Sequence, residues 1–327
     1  MELYTAMPTA VKPVIGFDVV TTAAAAGSAG AGTLASKDGG TLLDGWWNVI
    51  TRAYVLSIKR GERIGNYQAL VQIPGALISV RASEGELLRG DAMARFRVVS
   101  HRWEDPDHPD PDGTKVKELQ TFLKDNQDVE GIWADYPCLP QGRARTDEEK
   151  RYFDQALRNM NLLYMGSRTI AFVDVDYRRR FWTQFEFFCA THKADVRGIV
   201  PRTKKELQHH IKVIALGVAK EANGADEKAL FETWANKTVD QAIEILGHKD
   251  VSITNQSEKD PMLRRLKEFE QRVMQIESDW VPVEFRDSIT NGFMEDPVIA
   301  EDGRTYSRES IIGWIENCKA KGESVTS

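Results

Sequence analysis

Cysteine is scarce. Cys138, Cys189 and Cys318 are the only three in 327 residues. They are odd in number, far apart, and no Cys-x-x-Cys occurs, which excludes a disulfide framework and a zinc-finger site. That usage fits a reducing, cytoplasmic setting. The six histidines have no metal-ligand spacing. His209 and His210 are adjacent, so on a helix they point about 100° apart and do not share an ion. No run reaches the ~18–20 apolar residues that span a bilayer. The start of the chain lacks a basic stretch followed by an apolar core, so no signal peptide is expected. The net charge is only −6, which implies no nucleic-acid and no anionic-membrane partner. Asp110-Pro111-Asp112-Gly113 has the acidic spacing of a calcium loop but fails on register. Position 1 falls on His108 and position 12 on Leu119 rather than Glu. It reads as an acidic loop before a helix N-terminus.

Apolar residues make up 42% of the chain, enough for a real core, and the length suggests two modules. Phe96–Ser100, Val129–Ala134 and Thr169–Val175 are short runs rich in β-branched or aromatic residues. Helix-length segments lie between them, around Lys115–Lys124 and Asp147–Tyr164, and a third follows at Arg180–His192. Strands alternating with helices predict an α/β fold with a parallel sheet, whose ligands bind at the carboxyl ends of the strands.

Around this core, residues 1–40 read as a flexible segment rich in Ala, Gly, Ser and Thr. Residues 41–89 read as a helical lead-in. Within them, Leu42–Ile58 predicts an amphipathic helix that packs on the main domain or binds a partner. The α/β domain occupies 90–200, and 201–278 reads as a helical linker. Thr203-Lys204-Lys205-Glu206 and Thr238-Val239-Asp240-Gln241 have capping-box spacing, and Gly247 stops the second helix. Pro261–Glu277 carries Leu263, Leu266, Phe269, Val273 and Ile276 on one stripe, so it packs on the first domain or acts as a spacer.

The candidate site lies at the strand ends. Ser100, Arg102 and Trp103 follow the first strand, and Asp135 follows the second. Glu186 sits on a helix that is apolar nearly all round, four residues after Trp182 and on the same face. A carboxylate there is costly unless it is paired or opens into a cleft. Pairing with Arg102, Arg143 or an arginine of Arg178-Arg179-Arg180 is one reading, and a catalytic carboxylate is the other. Cys138 has no histidine near it in sequence and reads as a buried structural thiol.

The order of these elements resembles a Toll/interleukin-receptor (TIR) domain over about residues 96–195. Val98-Val99-Ser100 matches the opening strand, Ile132-Trp133-Ala134-Asp135 the second strand, and Tyr177…Trp182-Thr183-Gln184-Phe185-Glu186 the Tyr…Trp-x-x-x-Glu segment. Ser100-His101-Arg102-Trp103 and Asp135-Tyr136-Pro137-Cys138-Leu139-Pro140-Gln141 resemble the fungal heterokaryon-incompatibility relatives of that family more closely. In NAD-cleaving members the motif Glu is the catalytic carboxylate, so the resemblance implies Glu186 in that role. It would stabilise the ribosyl cation as nicotinamide leaves. Trp103 or Trp182 would stack on the rings, or Trp182 would be core, and Arg102 or Arg143 would hold the diphosphate. NAD enters as substrate and no cofactor is expected. Other members are assembly modules, which implies self-association.

The last stretch, 279–327, has a different character. Asn291-Gly292 and Asp302-Gly303 are turn dipeptides, and Ser307 is placed to cap a helix carrying Ile311, Ile312, Trp314 and Ile315. This small α+β module resembles a U-box, the zinc-free relative of the RING finger. The matching residues are Pro282, Phe285, Asp287, Ile289, Thr290, Met294, Asp296, Pro297, Val298, Gly303, Thr305, Tyr306, Arg308, Ile311 and Trp314, with Ser288 in place of the family's Pro. A U-box recruits a ubiquitin-conjugating enzyme (E2). The resemblance assigns E2 contacts to Ile289 and Trp314; the alternative for Trp314 is core packing against Phe285 and Phe293, and the two roles are compatible. No covalent ubiquitin intermediate is implied, so Cys318 is dispensable. The family's second loop and closing helix would follow Ser327, so the U-box is expected to be incomplete here: a fragment, or a module without ligase activity. Three functions follow: a U-box ubiquitin ligase with a TIR-like sensing or substrate-recognition domain, an NAD-cleaving hydrolase using Glu186, or a non-catalytic signalling scaffold.

Overall fold

The computed structural model describes residues 45–322, except 196, 223, 254–258, 281–282, 291 and 295. The expected flexible segment 1–40 lies outside the described residues. Gly45–Thr51 is a strand, β1, followed by a short helix, α1 (Arg52–Ser57). One continuous amphipathic helix over Leu42–Ile58 was the expectation, and the described part corrects it. Trp47 and Val49 are fully buried while Trp46 is 46% exposed, a period of two rather than 3.6. The apolar residues are dense enough to satisfy both periods, and hydrogen bonding on both edges of β1 decides for strand.

The chain continues through α2 (Tyr67–Leu70), β2 (Leu77–Ala82), α3 (Glu84–Arg89), β3 (Phe96–His101), α4 (Thr114–Asp125), β4 (Gly131–Trp133) and α5 (Asp135–Cys138). Then come α6 (Asp147–Gly166), β5 (Thr169–Val173), α7 (Phe181–Thr191), β6 (His192–Asp195), β7 (Gly198–Pro201), α8 (Lys204–His210) and β8 (Ile211–Ala215). Next are α9 (Ala225–Trp234), α10 (Val239–Gly247) and α11 (Lys259–Trp280), and finally β9 (Pro297–Ile299), β10 (Thr305–Ser307) and α12 (Arg308–Lys321). Ser83, Thr146, Thr203 and Thr238 each cap a helix in a two-way exchange with the Glu or Gln three residues on.

The main sheet has the order β2-β1-β4-β3-β5-β8. Strands β4, β3, β5 and β8 are parallel, and β1 runs antiparallel to both its neighbours. Alternation along β3 turns Ser100 toward α7, while Val99 lines a small apolar space with Val116 and Leu119 of α4. Helices therefore cover both faces. Trp47, Trp133 and Tyr164 form an edge-to-face chain through the core, with ring centroids 6.0 Å apart at each step.

Residues 201–278 are not a linker. Strand β8 is an edge of the main sheet, paired to β5 over its whole length. Helices α9 and α10 pack on α7, through Phe187–Phe231 and Phe188–Trp234 contacts among others. Helix α11 buries Leu266, Phe269 and Val273 against the domain. Its Arg272 pairs with buried Glu84 of α3 and donates to Asn159 Oδ1 at 2.9 Å. The β-branched run Ile211–Ala215 follows a capped helix directly, which hides its strand character in the sequence.

The crossing of α3 and α6 depends on glycine. A Cβ on Gly166 would lie 1.6 Å from the Leu87 carbonyl oxygen, and Gly90 ends α3 at φ +76° against the Gly166 carbonyl. No helix among the described residues is long and apolar enough to cross a membrane.

Candidate functional site

At the carboxyl ends of the parallel strands lies a cleft of about 650 Å³. The sheet supplies Arg102 and Trp103 after β3, and Asp135 after β4. Helix α7 supplies Trp182 and Glu186, α6 supplies Phe153, and the segment after α10 closes one side with Ser252 and Ile253. That segment is pinned: the Phe181 N–H donates to Ser252 O at 2.8 Å and the Ser252 N–H to Arg179 O at 2.7 Å.

Glu186 is 7% exposed and accepts from the Ser100 hydroxyl at 2.6 Å. Ser100 in turn lies 2.6 Å from the Tyr177 hydroxyl. Ser100 has one hydrogen, so donating it to Glu186 leaves Tyr177 as the donor to Ser100. No cation pairs with Glu186 among the described residues. Arg102 is committed to Asp174 at 2.7 Å, and Arg178 lies 3.7 Å from Asp226. Burial pushes the Glu186 carboxyl well above its usual range; the Ser100 hydroxyl pulls it back and the charge of Asp135 adds to the rise. Burial thus favours the protonated form of the group at the cleft wall.

Asp135 is the contrasting carboxylate. Burial disfavours its charge, but His101 Nε2 at 3.0 Å, Trp103 Nε1 at 2.8 Å and the Tyr136 N–H at 2.7 Å all favour it. The net shift is downward. Two carboxyl groups with opposite shifts in one cleft can divide acid and base roles.

Most of the expected residues meet here. Arg102, Trp103, Asp135, Trp182 and Glu186 line the cleft, with Ser100 behind Glu186. Trp182 is only half-buried, stacked edge-on to Phe181 and Phe185, with its remaining surface toward the cleft. Arg143 is exposed and does not line it; Arg145 does, donating to Pro140 O at 2.7 Å and lying 3.7 Å over the Phe153 ring. The turn at Gly142, φ +78°, shifts the arginine that points inward by two residues. His101, Arg145, Tyr177 and Asp174 were not picked out as site residues; the signals available were the adjacency of His101 to Ser100 and the place of Tyr177 in the Tyr…Trp-x-x-x-Glu segment. Cys138 is fully buried and burial pushes its thiol up to about 12, as a structural cysteine requires.

The C-terminal module is built on Asp287. Its carboxylate is fully buried and accepts from the N–H groups of Ile289 at 2.8 Å, Thr290 at 2.9 Å and Ser307, and from the Ser310 hydroxyl. One side chain thus ties the first loop to the start of α12. Burial opposes its charge, yet these donors hold it well below the usual carboxylate range. The loop presents Ile289 at 40% exposure, and Trp314 is half-buried on α12. Phe285 and Phe293 are 40% and 46% exposed, so they do not form the core expected of them; Met294, Val298 and Tyr306 are buried instead. Strands β9 and β10 pair through the turn at Asp302-Gly303, with Gly303 at φ +78°. Asn291 lies outside the described residues.

The family model for the U-box domain matches residues 281–323. This segment is a U-box domain. Beyond the U-box match, a human protein, WD repeat, SAM and U-box domain-containing protein 1, is 36% identical over 70 residues. That stretch is 21% of this chain and 14% of the human protein, so the match spans a small part of either. No solved structure matches the chain. The U-box contains no group of three or more His, Cys, Asp or Glu side chains arranged to hold a metal among the described residues. The Asp287 network occupies the place where cross-linking of the loops is needed.

Proposed function

We propose that this protein is a U-box E3 ubiquitin ligase that docks a ubiquitin-conjugating enzyme on its first loop and on α12. The observation that carries the reading is the U-box match together with Ile289, an exposed aliphatic residue on a loop locked by Asp287. An apolar side chain on a preorganised loop is what a docking surface needs. Ile289 and Trp314 are the contacts. The α/β domain chooses the target or senses a signal, and α11 joins it to the U-box. Chain assembly by the full-length protein with E1, ATP, ubiquitin and a panel of E2 enzymes is the test. Deletion of the U-box should abolish it. Failure with every E2, from a folded protein, would remove the ligase reading.

A second reading rests on the cleft. Ser100 at the end of β3, Asp135 after β4 and Trp182-x-x-x-Glu186 on α7 follow the order of a TIR-like domain, and the four parallel strands are compatible with it. In that reading NAD enters at the strand ends, with Arg145 near the diphosphate and Trp103 or Trp182 against a ring. A cationic nicotinamide ribosyl group favours the ionised form of Glu186, which then stabilises the developing ribosyl cation. Nicotinamide release that is present in wild type and lost in Glu186→Ala supports this reading. Absence of release, with crowding agents to force self-association, leaves the domain as a recognition module.

A further inference from the structure

A second cleft, of about 440 Å³, lies at the opposite end of the sheet from Glu186. It is bounded by the end of α3, the Ser167-Arg168 link into β5, strand β6, and Arg202 after β7. Its lining carries the cations of Arg89, Arg168, Lys193 and Arg202 against the single carboxylate of Asp91. Asp91 lies 3.5 Å from Arg89, and Lys193 is paired outside the lining to Glu206 at 2.7 Å. Arg168 is exposed and pairs with no carboxylate among the described residues.

Among the described residues, Ser167 and Arg202 each carry a buried polar atom in this cleft with no hydrogen-bond partner. Ser167 is 1% exposed, and its hydroxyl makes no hydrogen bond. Arg202 donates from Nη2 to Met165 O at 2.5 Å, which fixes the guanidinium, while its buried Nε–H has no acceptor. Buried donors left unpaired are costly and rare in folded proteins. The surroundings feel the same excess of charge. His210, in the same lining, is pushed down to about 3 by burial and then by the charge of Arg202. It therefore stays neutral and adds no positive charge of its own. Gly90 approaches the Gly166 carbonyl closely in the wall of this cleft.

We propose that this cleft binds the phosphate group of a small phosphorylated molecule, with Arg202, Arg168 and the Ser167 hydroxyl as its donors. Guanidinium groups match the planar edge of a phosphate, and the unsatisfied Ser167 hydroxyl and Arg202 Nε–H belong to residues of the same lining. The volume suits a phosphate and a modest organic body. The site is separate from the Glu186 cleft and independent of what that cleft does.

Inorganic pyrophosphate, titrated calorimetrically into the full chain at fixed ionic strength, is the probe. Saturable binding is expected, weakened about tenfold or more by Arg168→Glu and by Ser167→Ala. Arg168 is exposed, so the Arg168→Glu protein should melt like wild type without ligand. Arg145→Glu, in the other cleft, should leave the affinity unchanged. Heat no larger than that of sodium chloride, or binding that survives Arg168→Glu and is lost in Arg145→Glu, would overturn the proposal.

Discussion

The Ser100 hydroxyl donates to Glu186 at 2.6 Å across the interface between β3 and α7. This bond joins a central strand to a helix that is buried along nearly its whole length. Burial raises the Glu186 carboxyl well above its ordinary value of 4.5, so the folded protein holds a proton there that the unfolded chain releases. The sign follows: Glu186 leaves stability intact below the unfolded value and lowers it as pH rises toward the folded value. Glu186→Gln removes that titration. The stability of Glu186→Gln relative to wild type should therefore increase from acid to neutral pH. Denaturant unfolding of both proteins across that range checks it; a pH-independent difference would mean that folding leaves the Glu186 carboxyl at its ordinary value.

Arg272 holds α11 against α3 through Glu84, which is 4% exposed. Arg272→Met leaves that carboxylate buried and unpaired. The cost should be about 2–3 kcal/mol, below the ~3–5 of a fully buried pair because Arg272 is partly exposed. Equilibrium unfolding gives the number. Combining the change with Glu84→Gln should recover part of it, and additive losses would show that the two do not interact.

Asp287→Ala should unfold the U-box while sparing the α/β domain. It orphans the N–H groups of Ile289, Thr290 and Ser307, a loss of about 3 kcal/mol or more in a module too small to absorb it. Hydrogen exchange read separately over residues 283–322 and over the sheet would show the difference. The wild-type carboxylate is depressed below its usual 3.8. Its contribution is therefore present above that pH and fades as pH falls through the folded value.

Phe293→Ala distinguishes the structure from the sequence-based expectation. A core phenylalanine would cost about 3–5 kcal/mol, whereas a side chain 46% exposed should cost under about 1 kcal/mol. A shift in the melting curve of the larger size would place Phe293 in a core after all.

How legible these features were depended on how local their causes are. The strands at Phe96 and Thr169 and the helices after Thr146 and Thr203 could be read because composition and capping act within a few residues. Strand β1 could not, since Trp46, Trp47 and Ile50 fit both periods and only pairing with β2 and β4 decides. Strand β8 was missed for the same reason: its partner β5 is more than thirty residues away. At the cleft, Glu186, Trp182, Trp103, Arg102 and Asp135 were found because strand ends in an α/β sheet are where ligands bind. The choice of Arg145 over Arg143 depends on a left-handed turn at Gly142, which spacing alone does not reveal. In the U-box, Asp287 was legible as a motif residue, but its grip on Ser307 and Ser310 appears only in three dimensions.

The most direct test of the ligase assignment is a single-turnover discharge of ubiquitin from a charged E2 by the full-length protein, wild type beside Ile289→Ala. Ile289 is 40% exposed, so the variant should fold and melt like wild type. The account predicts that wild type accelerates discharge and that Ile289→Ala returns it to the rate of the E2 alone. Discharge unaffected by wild type, or equally fast with Ile289→Ala, would contradict it.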